Sequence, residues 1–500
     1  MRGGAELRAP RFAGRLGSSP ITLAGDRLRI DLNGFTASGL AARLGSGSGT
    51  NRLDIARRDG RFGAGGVAGD FDGLSGDLAN VPLLVGEGSG RWRFGGGTLD
   101  ASGRIQVADK RDPVRFHPLV SDDFSLTLAS NDLRAEGWLA HPASGTRVTR
   151  ATIVHDLASG AGNAILDVPS LRFAGDFQPD TLTPLTTGVV ALVDATVAGE
   201  GRIAWDAQGT RSSGTFSTAG ADLAAPFGPV EGLTTTVRFT DLLGLVSAPG
   251  QEASVDLIRA GIDVYDGEIA YQLRPDYHVA IERAHWPFAG GTLHLEPTIL
   301  DFNRETTKYL TFRVEALDAA RFIEQMDFAN IAATGTFDGV VPMQFDENGA
   351  GQILDGRLSA RPGGGTLSYV GELTDRDLGP YGILAFNALK SLRYNRFDLT
   401  LNGALDGEFI TVIDLDGVAR DPAGTTLPSG GGITQLVARR VFGQIARIPF
   451  EFNIRIQGQF RSLIATARSF NDPIPLIQTE LERLRAPANN VQDEESEPVR

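Results

Sequence analysis

Polar and apolar positions alternate along much of this chain, most clearly in residues 396–478. Phe397, Leu399 and Leu401 are separated by polar residues, and Phe452, Ile454 and Ile456 repeat the arrangement. A period of two puts successive side chains on opposite faces of a strand, so each segment predicts one apolar and one polar face. Asp406-Gly407 and Asp416-Gly417 predict hairpin turns within this stretch. The same alternation occurs at Leu28, Ile30 and Leu32, and in FSLTL at 124–128.

Residues 1–160 predict strands punctuated by glycine clusters: GSGSG at 45–49, GAGG at 63–66 and GGG at 95–97. Apolar residues are sparser here than later, which predicts short or edge strands. From residue 165 to 316 strand patterns are denser. A period near 3.6 appears in only a few places. Residues 317–328 predict a helix capped by Asp318, with Leu317, Phe322, Ile323 and Met326 near one stripe. Residues 381–392, 432–447 and 474–484 predict three more, and residues 241–246 predict a single helical turn. The polar, acidic tail after residue 484 predicts disorder.

Gly-Gly-Thr-Leu occurs at 96–99, 290–293 and 364–367, and Gly-Arg-Ile or Gly-Arg-Leu at 103–105, 201–203 and 356–358. Unequal gaps exclude a strict solenoid repeat. Both common hairpin sequence and a worn ancestral repeat fit these echoes.

With 63 glycines, 25 prolines and 41 % hydrophobic residues, the chain reads as folded, turn-rich and mainly β. It has no cysteine, which excludes disulfides, thiolate metal sites and cysteine nucleophiles. A net charge of −14 argues against nucleic-acid binding and against a basic membrane-adhering face. The N-terminus lacks the apolar core of a signal peptide, and no window is apolar enough for a membrane span.

Chemistry is hard to find. Gly63, Gly65 and Ala68 fit a loosened dinucleotide fingerprint, but no buried strand precedes them and no helix start follows. His278, His285 and His294 have spacings that suit no usual metal site. Outward-facing surface histidines are the simpler reading. Asp59, Asp72, Asp266, Asp338, Asp355, Asp406 and Asp416 each precede glycine, which assigns them to turns. Trp92, Trp138, Trp205 and Trp286 are scattered and read as core or rim residues. The sequence therefore predicts no catalytic residue, no cofactor and no metal.

The order of features from residue 165 is distinctive. LDVPSLRFAG leads to LTPLTTGVVALVDATVAGEGRIAWD, then GPVEGLTTTVRFTDLLGLVSAPGQ, GEIAYQL and IERAHWPFAGGTLHLEP. The helix LDAARFIEQ follows, then GTFDGVVPMQF, ILDGRLSARPGGGTLSY, RYNRFDLTLNGALDGEFITVIDLDGV and PFEFNIRIQGQFRSLIATARSFNDP. This succession resembles the C-terminal part of the YdbH-like proteins, within the wider AsmA-like group, whose domain label sometimes reads "dicarboxylate transport". The resemblance covers residues 165–478. Residues 1–164 fit more loosely as a continuation, and 479–500 form a helix end and tail.

The resemblance implies a long, twisted antiparallel sheet curved into a U-shaped hydrophobic groove, with three or four short helices. It implies non-enzymatic phospholipid transfer between inner and outer membranes. Implied partners are phospholipid acyl chains, a small outer-membrane lipoprotein adding strands at the C-terminal edge, and a small periplasmic protein. Location is implied as periplasmic, anchored in the inner membrane by an N-terminal helix in full-length relatives. The expected anchor and much of the N-terminal half are not seen in this sequence, so Met1 is expected to be an internal start, the start of a gene fragment or the start of a trimmed chain.

Physical reasoning suits that function. At ~0.8 kcal/mol per methylene, a chain of about 15 methylenes costs on the order of 12 kcal/mol to expose to water. A groove of about 25 strands, each adding ~4.8 Å, would shield it over ~120 Å. On this reading Phe397, Leu399, Leu401, Ile413, Phe452, Ile454 and Ile456 line the final section. Alternation alone fits equally a structural or assembly protein built of closed sandwiches. A small-dicarboxylate binder would need converging arginines, and the arginines here are dispersed.

Overall fold

A computed structural model describes residues 4–420 and 452–459, apart from 17–18, 47–48, 226–227, 260–262, 303–306, 326–330, 346–350, 370–391, 405–407 and 417–418. Strand accounts for 76 % and helix for 4 %, so nearly all regular backbone pairing is between strands. The longer strands belong to one antiparallel sheet that is not closed into a barrel. The chain divides into two compact units. The first holds Met1–Leu223, Leu233–Ala253 and Gln272–Tyr277, and the second holds Ala224–Gly232, Ser254–Tyr271 and His278–Arg500.

In the first unit four short strands come first: β1 (Ala5–Arg8), β2 (Arg11–Leu16), β3 (Ser19–Ala24) and β4 (Arg27–Ile30). Long ones follow: β5 (Gly34–Ser46), β6 (Gly49–Gly63), β7 (Gly66–Asp77), β8 (Leu83–Gly95), β9 (Thr98–Asp109) and β10 (Leu119–Ala129). Then come β11 (Asp132–Ala140), β12 (Arg147–Asp156), β13 (Gly162–Phe173) and β14 (Ala191–Asp206). From β5 to β14 each strand pairs with the next in sequence.

The strands β15 (Gly209–Ala225), β16 (Gly228–Asp241), β17 (Val246–Ser247), β18 (Gln251–Arg259) and β19 (Asp263–Arg274) come next in the chain. The second unit continues with β20 (His278–Phe288), β21 (Gly291–Leu295), β22 (Thr298–Asp301), β23 (Lys308–Asp318), helix α1 (Ala319–Gln325) and β24 (Ile331–Ala333). After them run β25 (Thr336–Phe345), β26 (Gly351–Ala360), β27 (Gly365–Tyr369), β28 (Leu392–Tyr394), β29 (Arg396–Ala404), β30 (Glu408–Asp416), β31 (Ala419–Arg420) and β32 (Phe452–Gln459). One ladder runs β20–β21–β23–β25–β26–β29–β30–β32. A separate small sheet is ordered β24–β27–β28–β31.

Several expectations need correction. The strands of residues 1–160 are not all short or at an edge. β5 to β9 run 12 to 15 residues, and each is paired on both sides. Backbone ladders supply the hydrogen bonds whatever the side chain, so low apolar content did not shorten them. Leu32 lies beyond β4 and is 86 % exposed, so it does not continue the apolar face of Leu28. Residues 242–245 form a turn, closed by Leu245 N–H donating to the Leu242 carbonyl, instead of a helical turn. The helix predicted for 317–328 starts later, at Ala319, because Leu317 and Asp318 pair with β25. Its cap is as expected: the Asp318 carboxylate accepts from Arg321 N–H at 2.9 Å. Leu392, placed at a helix end by its periodicity, instead opens β28. The rest of that helix and those at 432–447 and 474–484 lie outside the described residues.

The Asp-Gly pairs are the instructive error. Asp59, Asp72, Asp266, Asp338 and Asp355 all lie inside strands. Several mark β-bulges. The register of β7 against β8 shifts at Asp72/Leu74, where Gly73 has φ +66°, and that of β26 shifts at Ile353/Gly356, where Asp355 has φ +51°. A bulge and a tight turn both need a residue tolerant of positive φ, so the dipeptide signals either. Asp406 lies outside the described residues, and Asp416 ends β30. The three Gly-Gly-Thr-Leu copies do sit at turns, each leading into a strand: β9, β21 and β27.

Glycine has a second use. Gly60 lies under the Phe35 ring: a Cβ there would meet Phe35 Cε1 at 2.5 Å and Val67 Cγ1 at 2.9 Å. Trp205 covers Gly162 and Trp286 covers Gly267 in the same way. Large rings thus lie flat across bare backbone. Substituting Gly60 with Ala is expected to lower unfolding stability by about 1–3 kcal/mol through overpacking, read as a lower urea midpoint at unchanged m.

Candidate functional site

Register assembles the alternating residues into rows running across the sheet. In the first unit Gly69, Trp92, Ala101, Leu126, Ala135, Ile153, Ala164 and Ile203 are successive cross-strand partners from β7 to β14. Beside them run Val67, Phe94, Leu99, Leu128, Leu133, His155, Gly162 and Trp205. Neither row contains a charge while His155 is neutral. The row one residue out of phase is different in kind: Asp70, Arg91, Ser102, Ser125, Glu136, Thr152, Ile165 and Arg202. Two faces of opposite character result, and the side chains confirm it. Ile55, Phe71, Trp92 and Phe124 form a buried cluster, joined by Phe35, Leu99, Ala101 and Leu126.

The second unit repeats the design. Trp286, Leu293, Val314, Gly339, Leu358, Leu399, Ile413 and Ile454 are partners across its eight-stranded ladder. Every member is apolar or glycine. At ~4.8 Å per strand, seven steps make a path of about 34 Å. The out-of-phase row is His285, His294, Arg313, Val340, Arg357, Thr400, Val412 and Arg455. Val341, Phe345 and Ile353 are buried on the apolar side, with Leu310, Phe312, Met343 and Leu401 against them.

The seven predicted lining residues occupy three neighbouring registers. Leu399, Ile413 and Ile454 are mutual partners, Leu401 and Ile456 both reach Thr411, and Phe397 and Phe452 both reach Leu415. Phe397 is buried, with ring centroids 5.2 Å from Phe337 and 5.0 Å from Tyr394. The sequence did not show how far these rows extend: Trp286, Leu293, Val314 and Leu358 share the first of them.

Two buried polar side chains, His155 and Asp109, are hydrogen-bonded within the chain. His155 is 1 % exposed and its Nδ1 accepts from Trp205 Nε1–H at 3.1 Å. Burial holds this imidazole below its ordinary value of 6.5, outweighing the nearby Asp156 carboxylate. The unfolded chain therefore binds a proton that the native state resists. Stability is unaffected above the unfolded value and declines as pH falls below it. A thermal melt series should show this decline beginning near pH 6.5, and H155Q should flatten it. Asp109 is closed off by Arg115, whose Nε and Nη2 donate to the two carboxylate oxygens at 2.9 and 2.7 Å.

His285 and His294 are direct cross-strand partners on the polar side, 3.4 Å from Glu268 and 3.5 Å from Glu315 respectively. His278 instead approaches Asp301. Among the described residues no group of three or more His, Asp or Glu is arranged to hold a metal ion. Among them, too, no helix is long and apolar enough to cross a membrane.

An open antiparallel sheet bearing apolar rows across many strands defines a protein that offers a long hydrophobic surface. The chain matches the family model described as YdbH-like, intermembrane phospholipid transport protein YdbH, over residues 3–482, and belongs to that family. The match reaches well beyond the 165–478 of the sequence resemblance. No curated protein and no solved structure matches the chain. The family is one of phospholipid transport.

Proposed function

We propose that this chain conducts phospholipids between the inner and outer membranes, in the periplasm, with acyl chains resting on the apolar rows. The observation that carries this reading is the eight-stranded row from Trp286 to Ile454, which contains no polar residue. Acyl chains bind by area alone, so such a row supports them at any position along its length. The continuity matters because each polar interruption would add a barrier to movement. Phe397, Leu399, Leu401, Ile413, Phe452, Ile454 and Ile456 line the C-terminal section.

β32 pairs with β30 along its whole length. Its other edge is the place for strand addition by a small outer-membrane lipoprotein. A small periplasmic protein is the second partner, and full-length relatives hold to the inner membrane by a helix.

Purified protein should carry phospholipid detectable by native mass spectrometry and should move fluorescent phospholipid between vesicles. Lipid-free protein that transfers nothing would sink the proposal in favour of a purely structural role.

A further inference from the structure

Among the described residues of the first unit, one charged side chain, that of Arg58, lies among the apolar rows without an ion-pair partner. Ala37, Arg58, Phe71, Gly90, Gly103 and Phe124 are successive partners from β5 to β10. This row adjoins the one containing Trp92 and Ala101, on the same side of the sheet. Arg58 is its only charged member. The Arg58 guanidinium carbon lies 3.6 Å from the Trp92 ring centroid, over the face of the indole. Its Nε–H is buried and donates to nothing.

Such an arrangement is costly. An uncompensated cation in apolar surroundings loses hydration that a ring face only partly replaces. Three other arginines of this unit are neutralised within the chain: Arg43 meets Asp54, Arg104 meets Asp122 and Arg115 meets Asp109. Burial pushes the Arg58 guanidinium down to about 10, which still leaves it charged at neutral pH. The row beyond it is bare. A Cβ at Gly90 would meet the Ser102 carbonyl oxygen at 2.1 Å, and one at Gly103 the Ser89 carbonyl oxygen at 2.2 Å, so no side chain can occupy the strip between Phe71 and Phe124.

We infer that Arg58 receives the phosphodiester of a glycerophospholipid whose acyl chains lie over Phe71, Trp92 and Phe124. Charge complementarity selects the anion. The apolar surroundings select an amphipathic one, because a small hydrated anion would have to shed its water with nothing gained from its other side. A guanidinium grips phosphate through paired N–H donors. Held on Trp92, it needs little reordering to do so. This rests on the transport reading above and adds a headgroup contact to it.

The test uses the whole chain, equilibrated in detergent with equal amounts of phosphatidylglycerol and the diacylglycerol of the same acyl chains, and read by native mass spectrometry. Wild type should retain the phospholipid over the diacylglycerol by about tenfold, the scale of one charge-assisted contact. R58M should bring that ratio near one while total bound lipid persists, and R58K should keep much of it. R58M should melt no lower than wild type, because it removes an unpaired, half-buried charge. A purely structural Arg58 predicts the reverse, a lower melting temperature with the ratio unchanged, and that result would overturn the inference. So would equal retention of both lipids by wild type, which leaves the transport reading standing. Failure of wild type to bind either lipid removes both readings. Displacement of bound phosphatidylglycerol by millimolar inorganic phosphate would identify a plain anion site and also overturn the assignment.

Discussion

R115M is expected to be the most destabilising single substitution of a surface-proximal residue in the first unit, by about 3–5 kcal/mol. The Asp109 side chain is 0 % exposed and that of Arg115 13 %. Burial alone would raise the Asp109 carboxyl, but donors from the Arg115 side chain, its backbone N–H and Arg111 N–H outweigh it and hold the group below its ordinary value of 3.8. Removing the guanidinium strands a carboxylate that water cannot reach. The loss should appear as a lower urea midpoint. The double variant D109L/R115M should recover much of it, since no charge then remains buried. The sign of the pH dependence follows. Asp109 is deprotonated more readily in the native state, so its contribution is complete above the unfolded value and is lost as pH falls below 3.8 toward the native one. An R115M variant more stable than wild type at pH 7 would refute this account.

The second large effect concerns transport. L399D is expected to reduce phospholipid transfer about tenfold or more, because a carboxylate in the apolar row must be desolvated each time an acyl chain passes. T400D, one residue along the same strand, should leave transfer nearly unchanged. Thr400 belongs to the row containing Arg313 and Arg357, on the opposite face. The pair shares a strand and a substituted residue type, so it separates a face-specific effect from general damage. Vesicle-to-vesicle transfer measured beside circular dichroism distinguishes the two. Equal loss in both variants would contradict the assignment of faces.

The contrast between adjacent residues shows what was legible beforehand. Phe397, Leu399 and Leu401 announced one apolar face because strand periodicity depends only on the residue's own neighbours. The same holds for the Asp318 cap, a contact spanning three residues. The Asp-Gly pairs failed for a related reason. Local sequence encodes tolerance for positive φ, but whether the chain then reverses or continues past a bulge depends on the strand beside it. Strand lengths in residues 1–160 were misjudged because ladder pairing is a property of two strands, invisible in the composition of either. Arg58 drew no notice in the sequence. Its neighbours there are Arg57 and Asp59, which suggest a solvated surface.

By itself, then, the sequence determined a mainly β protein of alternating strands, with no sulfur chemistry, and its resemblance pointed to the family. Those properties reside in residue identity and short-range periodicity. The tertiary structure alone decided register. Only pairing brought Trp286 and Ile454, 168 positions apart in the numbering, into one uninterrupted apolar row. A slip of one residue at β21/β23 or β25/β26 would have placed Arg313 or Arg357 in it. The same pairing set Arg58 on the apolar side against Trp92, where its charge has no counterpart among the described residues.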